Sequence, residues 1–246
     1  MRVYYVGPPG SSLDVFAEQM RGKRVLYSYA TCRSVPVPET VAGYCLDSGA
    51  FTAWKKNTTI NIDKLIEWYE RFDTADFKLT LDVIGGSEQA QKENLRILER
   101  NGQDVVPVFH GPHLESWNWF DELCERYPLV AIASVLPNNA SPQVTWWLQQ
   151  IFNRVCDRKT GLPKVRLHGL RMPIRMSEFP FDSVDGSTWI TAAKNRRMPA
   201  GVGAVRQTYA PPSIGRLELQ ELWIEAWQAA PKAKTHQHAP ILFPEL

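Results

Sequence analysis

Short apolar runs that read as strands recur about eight times along this chain, at residues 3–6, 25–29, 43–47, 78–83, 105–110, 130–135, 164–168 and 181–185. Stretches with helical spacing lie between them. Two parallel strands cannot be joined by a tight turn, so each return to the sheet needs a crossover, normally a helix. Eight such units predict an α/β fold, a (β/α)8 TIM barrel. Residues 62–72 place Leu65, Ile66, Tyr69 and Phe72 on one stripe, with Asp63 in the first turn. Residues 87–100 open on Ser87 and end before Gly102, a sound pair of caps. Residues 114–127 and 141–156 follow, the latter opening on Ser141-Pro142, and a further helix is expected over 215–229. The crossover at 171–179 is short and rich in Met and Pro, so it is expected to be irregular. Neither a linker nor an internal repeat divides the chain. The expectation is one barrel domain over residues 1–230 and an extended or poorly ordered tail over 231–246.

Three of the runs end in aspartate: Cys45-Leu46-Asp47-Ser48-Gly49-Ala50-Phe51, Leu79-Thr80-Leu81-Asp82-Val83 and Phe181-Asp182-Ser183-Val184-Asp185-Gly186. Side chains alternate along a strand. If Leu46, Leu79 and Leu81 face the helix layer, Asp47 and Asp82 face the barrel mouth. In the third run Val184 opposes Asp185, so parity favours Asp185 as the inward group. Asp182 is the competing choice wherever the backbone departs from regular pleating. Carboxylates at the C-terminal rim of a barrel are where its active sites are built. Several of them in one pocket can divide into nucleophile, acid/base and orienting roles.

Composition excludes some function classes. The formal net charge is +2, which is no general coat for nucleic acid, although a local basic patch is compatible with it. Cysteines 32, 45, 124 and 156 have neither zinc-knuckle nor disulfide-framework spacing and read as reduced thiols. The N-terminal residues lack a signal-peptide core, and no apolar run reaches the ~20 residues of a membrane span. A soluble, cytoplasmic protein without a membrane partner is expected.

Asp47-Ser48-Gly49-Ala50-Phe51 sets small residues behind an acid, which lets backbone approach a ligand, and Phe51 offers a flat face to a base. A capped strand-to-helix turn explains the same residues. The segment also resembles the Asp-Ser-Gly-Gly-aromatic motif of the tRNA-guanine transglycosylase family. Other landmarks recur in the same order over residues 1–210. Asp82 with Gly85-Gly86 is similar to the family's second base-recognising aspartate. Val108-Phe109-His110-Gly111 falls at its Gln-Gly pair, and Ala131-Ile132-Ala133-Ser134 at its base-contacting strand. Arg166-Leu167-His168-Gly169-Leu170 matches the strand before the nucleophile. Asp182-Ser183-Val184-Asp185-Gly186-Ser187-Thr188-Trp189 most resembles the nucleophile strand of compact, phage-encoded relatives, which include DNA 7-deazaguanine transglycosylases.

That resemblance implies a barrel enzyme that exchanges guanine in nucleic acid for a 7-deazaguanine base, with DNA favoured over tRNA and host cytoplasm as its place if phage-encoded. It implies Asp185 as nucleophile and Asp47 as acid/base, and Asp82 as acceptor of the guanine N–H edge. Ser48, Gly49, Phe51, His110, Ser134 and His168 would complete the substrate site. The family's cysteine-rich zinc site has no counterpart, since no cysteine follows Cys156, so no metal or other cofactor is expected. His110 replaces the glutamine and Ala50 the second glycine. Rival readings are a tRNA-guanine transglycosylase, a base glycosylase or nucleosidase using the same carboxylates with water, and a non-catalytic barrel that binds nucleic acid or a deazapurine. The sequence leaves the oligomeric state open.

His110 and His168 end strands, where a hydrogen-bonded structural histidine and a pocket-lining one are both expected. Residues 7–12, Gly-Pro-Pro-Gly-Ser-Ser, form either a phosphate cradle or a capped turn. Lys194, Arg196, Arg197 and Arg206 follow the third aspartate run and are candidates for phosphate contacts, against solvated helix charge. Most of the nine tryptophans sit in helical patterns and are assigned to packing. Trp54 and Trp189 follow rim motifs and are assigned to the pocket.

Overall fold

The computed structural model describes residues 1–7, 12–34, 36–111, 114–134, 141–200 and 207–237. Arg206, most of the expected phosphate cradle (8–11) and Val135 lie outside the described residues. Eight strands form one parallel sheet: β1 (Arg2–Gly7), β2 (Arg24–Ser28), β3 (Gly43–Asp47), β4 (Phe77–Lys78), β5 (Val108–Phe109), β6 (Leu129–Ala133), β7 (Arg166–Leu170) and β8 (Ser183–Gly186). Their order is β4-β3-β2-β1-β8-β7-β6-β5, so β1 pairs with both β2 and β8.

The helices run back along the outside. They are α1 (Leu13–Gln19), α2 (Ala50–Lys55), α3 (Ile62–Glu70), α4 (Glu88–Arg100), α5 (Trp117–Arg126), α6 (Pro142–Val155), α7 (Thr188–Lys194) and α8 (Arg216–Ala229). Side chains of Ser12, Asn61, Ser87, Ser116 and Ser141 cap the starts of α1, α3, α4, α5 and α6. Among the described residues no helix is long and apolar enough to cross a membrane.

Alternation divides the core into two layers. Tyr4, Leu26, Cys45, Val108 and Ala131 belong to a cluster on the concave face, and Leu79, expected to face the helices, joins it because the pleat is not regular past the end of β4. Tyr5, Val25, Leu46, Phe109, Val130 and Val184 pack outward with the helices. The sheet curls strongly. His168 on β7 meets Phe77 on β4 edge-on, with ring centroids 5.0 Å apart, although four strands separate them in the order.

The edges do not form the continuous ladder that eight regular strands would give. β4 and β5 are two residues each and meet through one isolated parallel bridge, Leu79 with Val106. There Val106 N–H donates to Lys78 O at 2.7 Å, and Thr80 N–H donates to Val106 O at 3.0 Å. The product is a curled, helix-wrapped parallel sheet, a half-barrel. The reason lies in residues 79–83, where side chains take the carbonyls of Leu79, Leu81 and Val83 and the Val83 N–H in place of a neighbouring strand. Tyr69 Oη donates to Leu79 O (2.5 Å) and Asn94 Nδ2 to Leu81 O (2.8 Å). Gln91 bonds both Val83 N–H and Val83 O at 2.9 Å.

The crossover from β7 to β8 contains one 3-10 turn, Pro173–Arg175. The C-terminal segment fills the layer beside it. Ala233 N–H donates to Met176 O, and the His236 ring stacks on Phe179 and lies 2.9 Å from Asn153 Oδ1. Its described residues, 231–237, form neither helix nor strand, and His236 is buried. Helix α7 and an antiparallel hairpin, β9 (Arg197–Pro199) with β10 (Gln207–Tyr209), have no counterpart among the expected strands and helices.

Candidate functional site

Asp47 ends β3 on the same face as the inward Cys45. The chain then turns sharply. Gly49 sits at φ 77°, ψ 15° and caps α2, and its N–H donates to Asp47 Oδ2 at 3.1 Å. A Cβ there would lie 2.6 Å from the Ala30 Cβ and 2.8 Å from Ser28 Oγ. The glycine is therefore required by left-handed backbone and by packing against the end of β2. Close approach to a ligand is not needed to explain it. Ser48 is fully buried, and its hydroxyl donates to Asp82 Oδ1 at 3.2 Å. It ties the β3 turn to the segment after β4.

Asp82 is anchored from the other side by His110, whose Nε2 lies 3.0 Å from Asp82 Oδ2. The Nδ1 of the same ring lies 2.7 Å from Glu115 Oε1. All three groups are withdrawn from solvent, the His110, Glu115 and Asp82 side chains being 1%, 0% and 12% exposed. Burial alone would lower the His110 pKa. The hydrogen bonds and charges of Asp82 and Glu115 outweigh it and raise the value to about 9. The imidazole is thus a buried cation between two carboxylates. Glu115 was not singled out from sequence; it precedes the Ser116 cap of α5, and no local pattern distinguishes it from an ordinary loop acid.

Asp185 lies on β8 and is 2% exposed. Its Oδ2 lies 3.2 Å from His168 Nε2 and accepts the Arg171 N–H at 3.3 Å. His168 Nδ1 is 2.9 Å from Ser183 Oγ. A hydroxyl can donate to Nδ1 while Nε2–H donates to the carboxylate, so a neutral imidazole satisfies both contacts. Asp182 is placed differently. It precedes β8 and pairs with Arg2 at the N-terminal end of the sheet. Three residues of strand, about 10 Å, separate it from Asp185.

Asp47, Asp82 and Asp185 come together. Burial, then the negative charges of Asp82 and Asp185, raise the Asp47 pKa from 3.8 to about 7, against the Gly49 N–H that lowers it. A carboxyl group near pH 7 can both give and take a proton.

Above these groups lies an aromatic and cationic rim. Lys55 Nζ and the Arg171 guanidinium carbon lie 4.5 and 4.6 Å from the Phe51 ring centroid. Trp54 stacks on the same ring at 5.8 Å. The Phe51 face assigned from sequence to a base is thus covered, and the solvent-facing aromatic is Trp54, 57% exposed. Arg171, also not singled out from sequence, has φ 58° and donates from Nη2 to the Ser134 carbonyl at 3.1 Å. Ser134 is buried and enters through that carbonyl.

Other candidates lie elsewhere. Trp189 is fully buried against Tyr5 in the outer layer and is not in the mouth. Lys194 ends α7, and Arg196 and Arg197 follow it, near α8 and the β9–β10 pair. Arg196 donates to the carbonyls of Ile214 and Pro211, and Arg197 covers the Tyr209 ring at 3.7 Å. The structure does not bring these cations to the aspartates. A cavity of about 710 Å³ lined by Arg154, Asp157, Lys159 and Lys164, among others, opens where α6 leads into β7, and it contains none of Asp47, Asp82 and Asp185. No cluster of three or more His, Cys, Asp or Glu fit to hold a metal occurs among the described residues. Compared with known proteins, the chain matches no family model and no curated protein sequence.

Proposed function

We propose that this chain is a glycosyltransferase that exchanges guanine in nucleic acid, DNA in the first instance, for a 7-deazaguanine base through an aspartyl-glycosyl intermediate. The observation that carries the reading is the pairing of two inward carboxylates in unlike surroundings. Asp185 is oriented by His168 and a backbone N–H. Asp47 has its pKa raised to about 7 by burial and by its acidic neighbours. That division suits a nucleophile and a proton carrier. Asp185 would attack the anomeric carbon and form a glycosyl ester as the bond from that carbon to guanine breaks. Asp47 would give its proton to the departing base. The 7-deazaguanine then attacks the same carbon, the ester breaks, and Asp47 takes the proton from the incoming ring nitrogen. Asp82, fixed by Ser48 and His110, would accept hydrogen bonds from the base edge.

The ordered resemblance to the tRNA-guanine transglycosylases supports the same roles and a (β/α)8 barrel. The Leu79–Val106 bridge is where such a barrel would close. Incubation with guanine-containing DNA, tRNA and a labelled 7-deazaguanine, followed by nucleoside mass spectrometry, tests the reading. Label entering DNA supports it. Label entering tRNA alone would move the substrate to RNA. Guanine release without incorporation would make the enzyme a hydrolase, and neither release nor incorporation would remove the catalytic reading.

A further inference from the structure

We propose that a single strand of nucleic acid crosses the rim between the C-terminal ends of β3 and β7, with a base stacked on Trp54 and phosphates held by Lys55, Lys56 and Arg171. The inference rests on the nucleic-acid reading above for its ligand and on the rim geometry for its location. In the sheet order β7 stands four places from β3. Arg171, the residue after β7, nonetheless lays its guanidinium on Phe51 at the start of α2. It therefore reaches over the mouth, while its own N–H holds Asp185. Trp54 is backed by Phe51 and is 57% exposed, a rigid aromatic platform turned to solvent. Lys55 and Lys56 follow on the same helix end and are exposed.

Electrostatics makes this the place for phosphate. Asp47, Asp82 and Asp185 lie beneath, and a phosphodiester entering over three carboxylates is repelled unless cations stand beside it. Lys55 and Arg171, held over one ring, supply that compensation at the mouth. The cations after α7 lie on the outer layer and cannot. Aromatic stacking flanked by lysine and arginine is the usual means of holding unpaired strands, and it tolerates any base.

Fluorescence anisotropy with a labelled oligothymidylate of about 12 nucleotides, within the usual span of such sites, tests the proposal. The probe contains no guanine, so binding is read apart from base exchange. Trp54→Ala should weaken binding at least about fivefold. Lys55→Gln with Lys56→Gln should flatten the slope of log affinity against log salt by about 1.4, or about 0.7 per lost contact. Arg171→Gln should flatten it by about 0.7, and Arg171→Lys should restore the slope. Lys159→Gln, in the separate cavity, should leave affinity unchanged. Trp54 and the lysines are exposed, so their variants should keep the parent circular dichroism. Failure of the parent to bind the probe would overturn the proposal, as would rim variants that bind like the parent. Loss on Lys194→Gln with Arg197→Gln, while rim variants bind normally, would move the strand to the outer layer. Intact rim binding without base exchange would sink the proposed reaction and leave the strand site standing.

Discussion

Asp47→Asn should cost activity and add stability, and the added stability should depend on pH. The group moves from an ordinary 3.8 to about 7 in the folded protein, chiefly through burial and the Asp82 and Asp185 charges. Between those values the folded chain binds a proton that the unfolded chain has lost. Stability therefore falls as pH rises through this window, and the full penalty is present above about 7. At 1.36 kcal/mol per pH unit the ceiling is about 4 kcal/mol. An asparagine keeps an acceptor for the Gly49 N–H but adds an amide N–H₂ that needs partners, at a cost of about 1–2 kcal/mol. The net gain should be about 2 kcal/mol near pH 8 and absent or reversed near pH 4. Urea unfolding of parent and variant, followed by circular dichroism at both pH values, reads the difference. Base exchange should fall by at least about 100-fold. A variant no more stable than the parent at pH 8, or equally stabilised at both values, would refute the account of Asp47.

The buried histidine gives the opposite sign. His110 rises from 6.5 to about 9, so its pairing adds stability below about 6.5 that is lost as pH climbs through 9. Glu115→Gln should lower that pKa, visible in the imidazole proton shifts, and destabilise the fold most at low pH; an unmoved titration would show that Glu115 does not hold the ring. Asp185→Asn should abolish both exchange and covalent trapping, since an amide forms no glycosyl ester. Asp182→Asn should keep the chemistry and reduce stability by about 1 kcal/mol, because its partner is Arg2 at the far end of the sheet; a dead Asp182→Asn with an active Asp185→Asn would exchange their roles. Gly49→Ala should destabilise by about 1–3 kcal/mol through left-handed backbone and the contact with Ala30, measured by urea unfolding.

Local pattern carried the order of elements and the inward facing of the aspartates. Leu46 and Val184 pack outward while Asp47 and Asp185 point in, and that needs nothing beyond strand alternation. Ser87 and Ser141 cap the helices that their spacing announced. What escaped was non-local. The β4–β5 ladder is interrupted because Gln91, Asn94 and Tyr69 take the carbonyls of Val83, Leu81 and Leu79, side-chain contacts from the flanking helices that apolar periodicity does not reveal. Glu115 and Arg171 join the site by reaching across elements. The glycine of the Asp-Ser-Gly turn was legible as a special position, but its reason, the proximity of Ala30, was not.

The two ends of the sheet carry comparable polar groups, and their charge balance differs. At the N-terminal end Arg2 pairs with Asp182 and Arg24 with Asp76, and the Tyr4 hydroxyl donates to Asp76. Acid meets base there in equal number, as expected of a polar layer that only closes the core. At the C-terminal end Asp47, Asp82, Glu115 and Asp185 gather around His110 and Arg171. These acids outnumber the cations buried among them, and Asp47 is held near 7 by burial first and by the Asp82 and Asp185 charges after it. Apolar side chains would fill the same space at lower cost, since buried charge without a partner is expensive. A fold that neutralises one end and leaves the other acidic bears a local destabilisation that packing does not explain. The proton transfer proposed for Asp47 would account for it.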